Sequence, residues 1–274
     1  MPFHLLKHEP ITPGLRRIAH EQIDIAVGNF ADDSIPVDRQ VHSLRTRCKK
    51  LRGLLRLPEP LMADSFAVED QRFRAAAKEL APYRDQHVFA KAIRSLGGTC
   101  EDDNVSPVAI PAAAIEHSLQ ILTAAQNAVD RWPLGEYGFA DFVPGFAKTY
   151  RTCVAAWDQV LLEPSDEHFH HCRKWTKYHW YQIRILERLN KRQLRKRRVK
   201  LRELQLLIGD AHDLAMLQEF LASQPDHDQQ LLQRAISRKH ELYARGLQLG
   251  REVCATRVDD LVADLSRWWT GWLQ

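Results

Sequence analysis

The chain has 274 residues, 45% hydrophobic and 27% charged, with 39 Lys and Arg against 35 Asp and Glu for a formal charge of only +4. These are globular proportions that exclude disorder, collagen-like repeats and low complexity as descriptions of the whole, and so small a net charge gives no general argument for a polyanion partner. No apolar run approaches the roughly 18 residues of a membrane span, and MPFHLLKHEPITPG lacks the segments of an export signal, so a soluble, cytoplasmic protein with no membrane partner is predicted.

Strand signals are scarce and helix signals recur throughout. Thr12 and Pro13 read as a helix start, a side-chain cap followed by a proline at the first helical position. Apolar periodicity continues through Ile18, Ile23, Ala26, Val27 and Phe30. Further helices are predicted at about 37 to 57, 66 to 81, 83 to 96, 109 to 131, 140 to 161, 165 to 192, 195 to 222 and 227 to 270, the last breaking near Cys254. The apolar end SRWWTGWLQ is expected to close the bundle it belongs to. Cys48, Cys100, Cys153, Cys172 and Cys254 are odd in number and lack CxxC spacing, which argues for reduced thiols rather than a disulfide framework or zinc ribbon.

Sliding the sequence against itself by 128 residues lays VHSLRTRCKKL, from Val41, over FHHCRKWTKYH, from Phe169. His42 meets His170, Arg45 meets Arg173 and Lys49 meets Lys177; in the same register Leu80 meets Ile208, Arg84 meets His212 and Asp85 meets Asp213. The predicted fold class is therefore all-α. One domain spanning 1–274 is made of two antiparallel helical bundles, 11–135 and 139–272, from an internal duplication. A pseudo-twofold axis between them would bring the two motif copies face to face across a basic central cavity or groove.

On the helix from Val41, the residues Val41, Leu44, Cys48, Leu51 and Leu55 form one apolar stripe, and His42, Arg45, Lys49, Arg52 and Arg56 form a second. The stripes are centred about 100° apart, so the cations run beside the buried seam rather than opposite it. Like charges at these spacings cost about 0.2 to 0.5 kcal/mol per pair. His170, Arg173, Lys174, Lys177 and Arg184 repeat the arrangement, with Trp180 where the first copy has Arg52, and LNKRQLRKRRVKLRELQ follows. There Lys196 and Lys200 share one row and Arg195, Arg198 and Arg202 another. A basic run is ordinarily a solvated helix end, but keeping a costly clustering in both halves favours a function. A mixture of bidentate Arg and point-charge Lys suits phosphate better than a carboxylate.

At these residues the sequence resembles the CHAD family, the conserved histidine α-helical domain. The resemblance lies in HSLRTRCKKLR with HHCRKWTKYHWYQ, and in LAPYRDQHVF with LIGDAHDLAML, and the flanking TPGLRRIAHEQ and KTYRTCVAAWDQ extend it over nearly the whole chain. It implies two pseudo-symmetric bundles enclosing a basic cavity that binds inorganic polyphosphate, with other phosphate-rich polyanions as further partners and polyphosphate granules as a location. The contacts it implies are His42, Arg45, Lys49 and Arg52 in one half and His170, Arg173, Lys174 and Lys177 in the other. Arg84, Lys200 and His212 extend that set, and Arg56 joins it as the last residue of the first stripe. Trp180 departs from the basic residue that many members show, and the ExExK motif of the triphosphate-tunnel domain often fused to the family does not occur.

Three other functions are weighed against this one. EHFHHCRKW gathers His168, His170, His171 and Cys172, and His168 and Cys172 share a face at i, i+4, but two ligands do not make a site and a structural zinc wants four, so no metal is expected. Single-stranded nucleic acid would need aromatics interleaved with the cations, and Trp175, Tyr178, Trp180 and Tyr181 lie near the second stripe. Phosphoryl chemistry would need carboxylates holding a metal; the stripes carry none, and GxxxxGK[ST], GxSxG and HExxH are missing. The sequence thus predicts a non-catalytic binding module without a cofactor, with a nucleic-acid-binding protein or a phosphohydrolase-associated accessory as alternatives. Asp85 and Asp213 are expected to orient basic partners or cap a helix. Histidines beside phosphates favour the protonated form, which predicts tighter binding below about pH 7.

Overall fold

Apolar residues spaced by three and four give each segment one face to bury, and the chain answers with helices packed face to face. The computed structural model describes residues 3–98, 110–224 and 228–273, with the side chains of 84–87 and 273 outside that description. In chain order the helices are α1 (Ile11–Gly28), α2 (Val37–Leu55), α3 (Asp64–Glu79), α4 (Ala81–Ser95), α5 (Ala112–Val129), α6 (Phe139–Leu162), α7 (Asp166–Leu186), α8 (Lys191–Ala222), α9 (Gln229–Cys254) and α10 (Val258–Leu273). No strand occurs among the described residues, so the fold is all-α. No helix among them is long and apolar enough to cross a membrane.

Two details depart from the sequence reading. The first helix begins at Ile11 with Pro10 at its cap position, and the Pro10 carbonyl already accepts from the Gly14 amide at 3.0 Å. Thr12 is therefore inside the first turn, buried, with its hydroxyl unpartnered rather than capping, and Pro13 is tolerated because first-turn amides have no intrahelical partner. The break after α7 falls at a 3₁₀ turn over Glu187–Asn190, where the Asn190 side chain caps α8 by accepting from the Gln193 amide at 3.1 Å. The stretches after residues 64 and 191 follow the reading, two helices in the first and one in the second. The first is cut into α3 and α4 at Leu80, because Pro82 can supply no amide to a continuous ladder. Asp210 stands 128 residues later, and α8 runs through unbroken.

α1, α2, α3 and α5 pack together, as do α6, α7, α8 and α9. α10 lies on α6, where Trp269 stacks on Phe139 at 4.6 Å between ring centroids. The apolar stripe expected on α2 is buried along its length, Val41, Leu44, Cys48, Leu51 and Leu55 all being in the core. Within the second set of helices, Trp157 Nε1 donates to Thr176 Oγ1 at 2.9 Å and Gln182 Nε2 to Thr149 Oγ1 at 3.0 Å.

The two sets meet where α2 crosses α7, and α4 packs on α8. Two glycines permit the approach. A β-carbon at Gly53 would come within 2.9 Å of the Tyr181 side chain, and one at Gly145 on α6 would overlap the carbonyl oxygens of Arg56 and Leu57 at the end of α2. At Gly53 the contact is with the Tyr181 side chain from its β-carbon outward, whereas at Gly145 the overlap is deeper and with two backbone carbonyl oxygens. Gly145→Ala is therefore expected to cost about 3 kcal/mol, at the upper end for overpacking a core, and Gly53→Ala less. Urea unfolding of both variants checks the order, and equal stabilities would refute it.

Candidate functional site

The stripe positions set by helical periodicity place cations along both sides of the α2–α7 crossing. Lys49 of α2 and Arg173 of α7 lie close enough to His170 of α7 and His212 of α8 to lower the proton affinity of both rings. The rings of His170 and His212 are 4.9 Å apart between centroids. Arg173 runs over α8 at Gly209, and its carbonyl accepts from Gln205 Nε2 at 3.3 Å. Burial and then the charges of Arg173 and Lys174 lower the proton affinity of His170. Burial, Arg173, His170 and Lys49 push His212 from its ordinary 6.5 down to about 4, although Asp166 pulls the other way.

A second group forms at the far end of the α2 stripe. Arg52 makes a two-point contact to Asp70 of α3, Nε to Oδ1 at 3.0 Å and Nη2 to Oδ2 at 2.9 Å, and Arg56 Nη1 adds a third bond to Oδ1 at 2.9 Å. Burial pushes the Asp70 carboxyl up, but the hydrogen bond from Arg52 and the charges of Arg56 and Arg52 outweigh it and hold the group below the usual carboxylate range. The Arg56 guanidinium lies 3.7 Å from the Tyr178 ring centroid and also faces Trp175 and Phe66. Lys174 reaches toward this group. Burial and then Arg56, Arg52 and Arg74 make its ammonium more acidic than usual.

Of the residues selected from sequence, Lys49, His170, Arg173 and His212 are brought together, and Lys174, Arg52 and Arg56 form the neighbouring group. Arg56 is only 7% exposed and committed to Asp70 and Tyr178, so it builds the wall. Arg45 donates to the Ala77 carbonyl at 2.5 Å, His42 is exposed and Lys177 is half-buried. Lys200 stands apart, paired with Glu252 of α9 at 3.0 Å. The side chains of Arg84 and Asp85 lie outside the described residues. Asp213 is half-buried on α8.

Asp70 and Arg74 had escaped the sequence reading, because their relevance comes from the packing of α3 on α2, which no local spacing on α3 announces. Trp180, where a basic residue was expected, lies under the guanidinium of Arg184 at 5.0 Å. His168 Nδ1 meets the Glu163 carbonyl at 2.7 Å, while the buried Cys172 thiol donates to the Phe169 carbonyl at 3.4 Å. Among the described residues no three potential metal ligands converge.

An all-helical scaffold with histidines and cations gathered where α2, α7 and α8 meet is the setting for the comparison with known families. The chain matches the CHAD domain model over residues 18–222 and belongs to that family, whose domains bind polyphosphate. No curated protein and no solved structure matches it.

The crowding carries a cost that depends on pH. His170, His171, His179 and His212 all have lowered proton affinity in the folded chain, whereas the unfolded chain takes up protons near 6.5. Below that value the unfolded state binds more protons, so stability falls as the pH drops toward 4. For His212, lowered to about 4, the loss amounts to about 3 kcal/mol once both states are titrated. The thermal midpoint is expected to fall between pH 6.5 and about 4, and less steeply in His212→Asn. Parallel curves for the two proteins would refute the assignment.

Proposed function

We propose that the protein is a non-catalytic module that binds inorganic polyphosphate on the basic face where α2, α7 and α8 meet. The observation that carries this reading is the convergence of Lys49, His170, Arg173 and His212 from three helices, where burial and then the charges of Arg173, His170 and Lys49 lower His212 to about 4. A folded chain keeps such a cluster at the expense of stability, and a linear polyanion reverses the sign of every term. His42, Arg45, Lys174 and Lys177 extend the surface, with Arg52 at its edge. Lys200 belongs elsewhere. Cytoplasmic polyphosphate deposits are the location this reading points to.

We further infer that the chain is one domain made by internal duplication, with the two halves about a pseudo-twofold axis and the basic groove along it. Four observations support this. α1 and α6 begin at Ile11 and Phe139, and α2 and α7 at Val37 and Asp166, within a residue of the 128-residue shift. Gly53 and Tyr181 occupy equivalent positions and touch each other, as residues flanking a twofold axis must. Arg45 Nη1 donates to the Ala77 carbonyl and Gln205 Nε2 to the Arg173 carbonyl, so the same pair of positions is joined in each half, with donor and acceptor reversed. Arg56 packs on Tyr178, and the equivalent pair, Arg184 and Lys50, are close enough for the arginine to lower the proton affinity of the lysine.

Nucleic acid fits the face less well. Three of the four rings that would stack bases are covered: Tyr178 by Arg56, Trp180 by Arg184, and Tyr181 by the core. Titration of the full chain with long-chain polyphosphate and with single-stranded RNA at two salt concentrations tests the reading. Polyphosphate is expected to bind at least about tenfold more tightly, with a log–log salt slope of about −3 for four or five contacts. Arg45→Ala with Arg173→Ala should weaken polyphosphate by about a hundredfold, since each charged hydrogen bond contributes roughly 1.5 to 3 kcal/mol. Equal affinity for the two polymers, or a double variant indistinguishable from wild type, would overturn it.

Proton linkage provides a second test. Bound phosphates raise the proton affinity of His170 and His212, so binding takes up protons and strengthens as the pH falls. Affinity at pH 5.5 should exceed that at pH 7.5 by about tenfold, and His170→Asn with His212→Asn should flatten the profile. A flat wild-type profile would remove the histidines from the site.

A further inference from the structure

Away from the α2–α7 face, the first turns of α8, the end of α9 and α10 enclose a groove of about 530 Å³, within the range of small-molecule sites. Lys196, Arg197, Lys200 and Arg267 line it, with Trp268 forming part of the wall. Two of the cations are compensated, Lys200 by Glu252 at 3.0 Å and Arg267 by Asp264. Lys196 and Arg197 have no carboxylate partner among the described residues.

Arg197 is the unusual member. Its Nε donates to His179 Nε2 at 3.0 Å, its Nη1 to Thr256 Oγ1 at 3.5 Å, and its guanidinium lies over the Tyr150 ring at 4.6 Å. All of these partners are neutral, because complete burial, reinforced by Arg197 itself, keeps His179 unprotonated. Nη2 is buried without an acceptor. A half-buried guanidinium with only neutral neighbours and an unused donor lacks a counter-ion. The groove also meets the N-terminal end of α8, where Asn190 and Gln193 line it and the helix dipole favours an anion.

This arrangement does not belong to the repeated face. The residue 128 positions before Arg197 is Glu69, a buried carboxylate that pairs with Arg72 at 3.3 Å, so the first half has no counterpart. α10, which closes the groove, lies beyond residue 222, where the family match ends.

We propose that this groove is a separate binding site for a small phosphate ester, with the phosphate between Arg197 and Lys196 and the organic part against Trp268. Inorganic phosphate would share the charged contacts without using the indole wall, so the two ligands distinguish an ester site from a bare anion site.

Calorimetric titration of the full chain with adenosine monophosphate and with inorganic phosphate tests this. The nucleotide is expected to bind wild type and the Arg45→Ala, Arg173→Ala double variant equally, and to weaken at least about tenfold, or 1.4 kcal/mol, in Arg197→Gln. Lys196→Gln, at an exposed position where folding is not at stake, should also weaken it. Inorganic phosphate should bind about tenfold more weakly than the ester. No heat up to about 10 mM nucleotide, loss of binding only in the Arg45, Arg173 variant, unchanged affinity in Lys196→Gln, or phosphate binding as tightly as the nucleotide would each overturn the proposal. Because the double variant serves as the control, this result stands or falls separately from polyphosphate binding.

Discussion

Where α2 crosses α7, Gly53 lets the Tyr181 ring rest on the helix backbone, and that approach forces two cationic stripes into one neighbourhood. The stripes run beside the buried seams, so the crossing that buries Leu44, Leu51 and Leu55 also brings Arg52 and Arg56 against Tyr178. The magnitudes show why the chain tolerates it. Each leucine-sized side chain taken fully out of water contributes about 1.5 to 3 kcal/mol, against about 0.2 to 0.5 kcal/mol for each like-charge neighbour along a helix. The apolar seam can therefore hold the cations together without help from a ligand.

The two ends of this arrangement are balanced differently. In the first half Asp70 accepts three hydrogen bonds from Arg52 and Arg56, and the rings of Trp175 and Tyr178 cover what remains. The positions 128 residues later hold Trp180, Arg184 and Arg198, so a cation stands where the first half has its carboxylate. Compensation there comes from elsewhere: Arg198 pairs with Glu187 at 2.7 Å, and Arg184 lies over Phe3 and Trp180. These arginines brace helices. Burial, joined by the charges of Arg173 and Lys49, lowers the proton affinity of both His170 and His212.

Much of the fold was legible because it depends on local periodicity. The apolar stripe on α2, the break after Cys254 and the close match of helix starts at the 128-residue shift follow from spacing and from breaker residues. What spacing could not disclose was which basic residues would be consumed by tertiary partners. Arg52, Arg56 and Lys200 look alike in the sequence, yet two are held by Asp70 and the third by Glu252, because α3 and α9 pack where no local pattern points. The Thr12 cap failed for a similar reason, since Pro10 starts the hydrogen-bond ladder earlier. Arg197 shows the converse: one cation in a run that reads as a solvated helix end becomes a half-buried group with only neutral partners.

The pairing of cold histidines with permanent cations bears on what kind of anion the face selects. A single phosphate near His170 and His212 would satisfy the closest charges, but Lys49 and Arg173 approach from different helices and Lys174 extends toward Arg52 and Arg74. One compact anion cannot reach all of them, whereas a chain with a charge on every unit can follow the stripe from one group to the next. An imidazole that gains a proton beside a bound phosphate donates from both nitrogens instead of one. On the proposed reading, such a face would hold a polymer more tightly the more phosphates were laid along it.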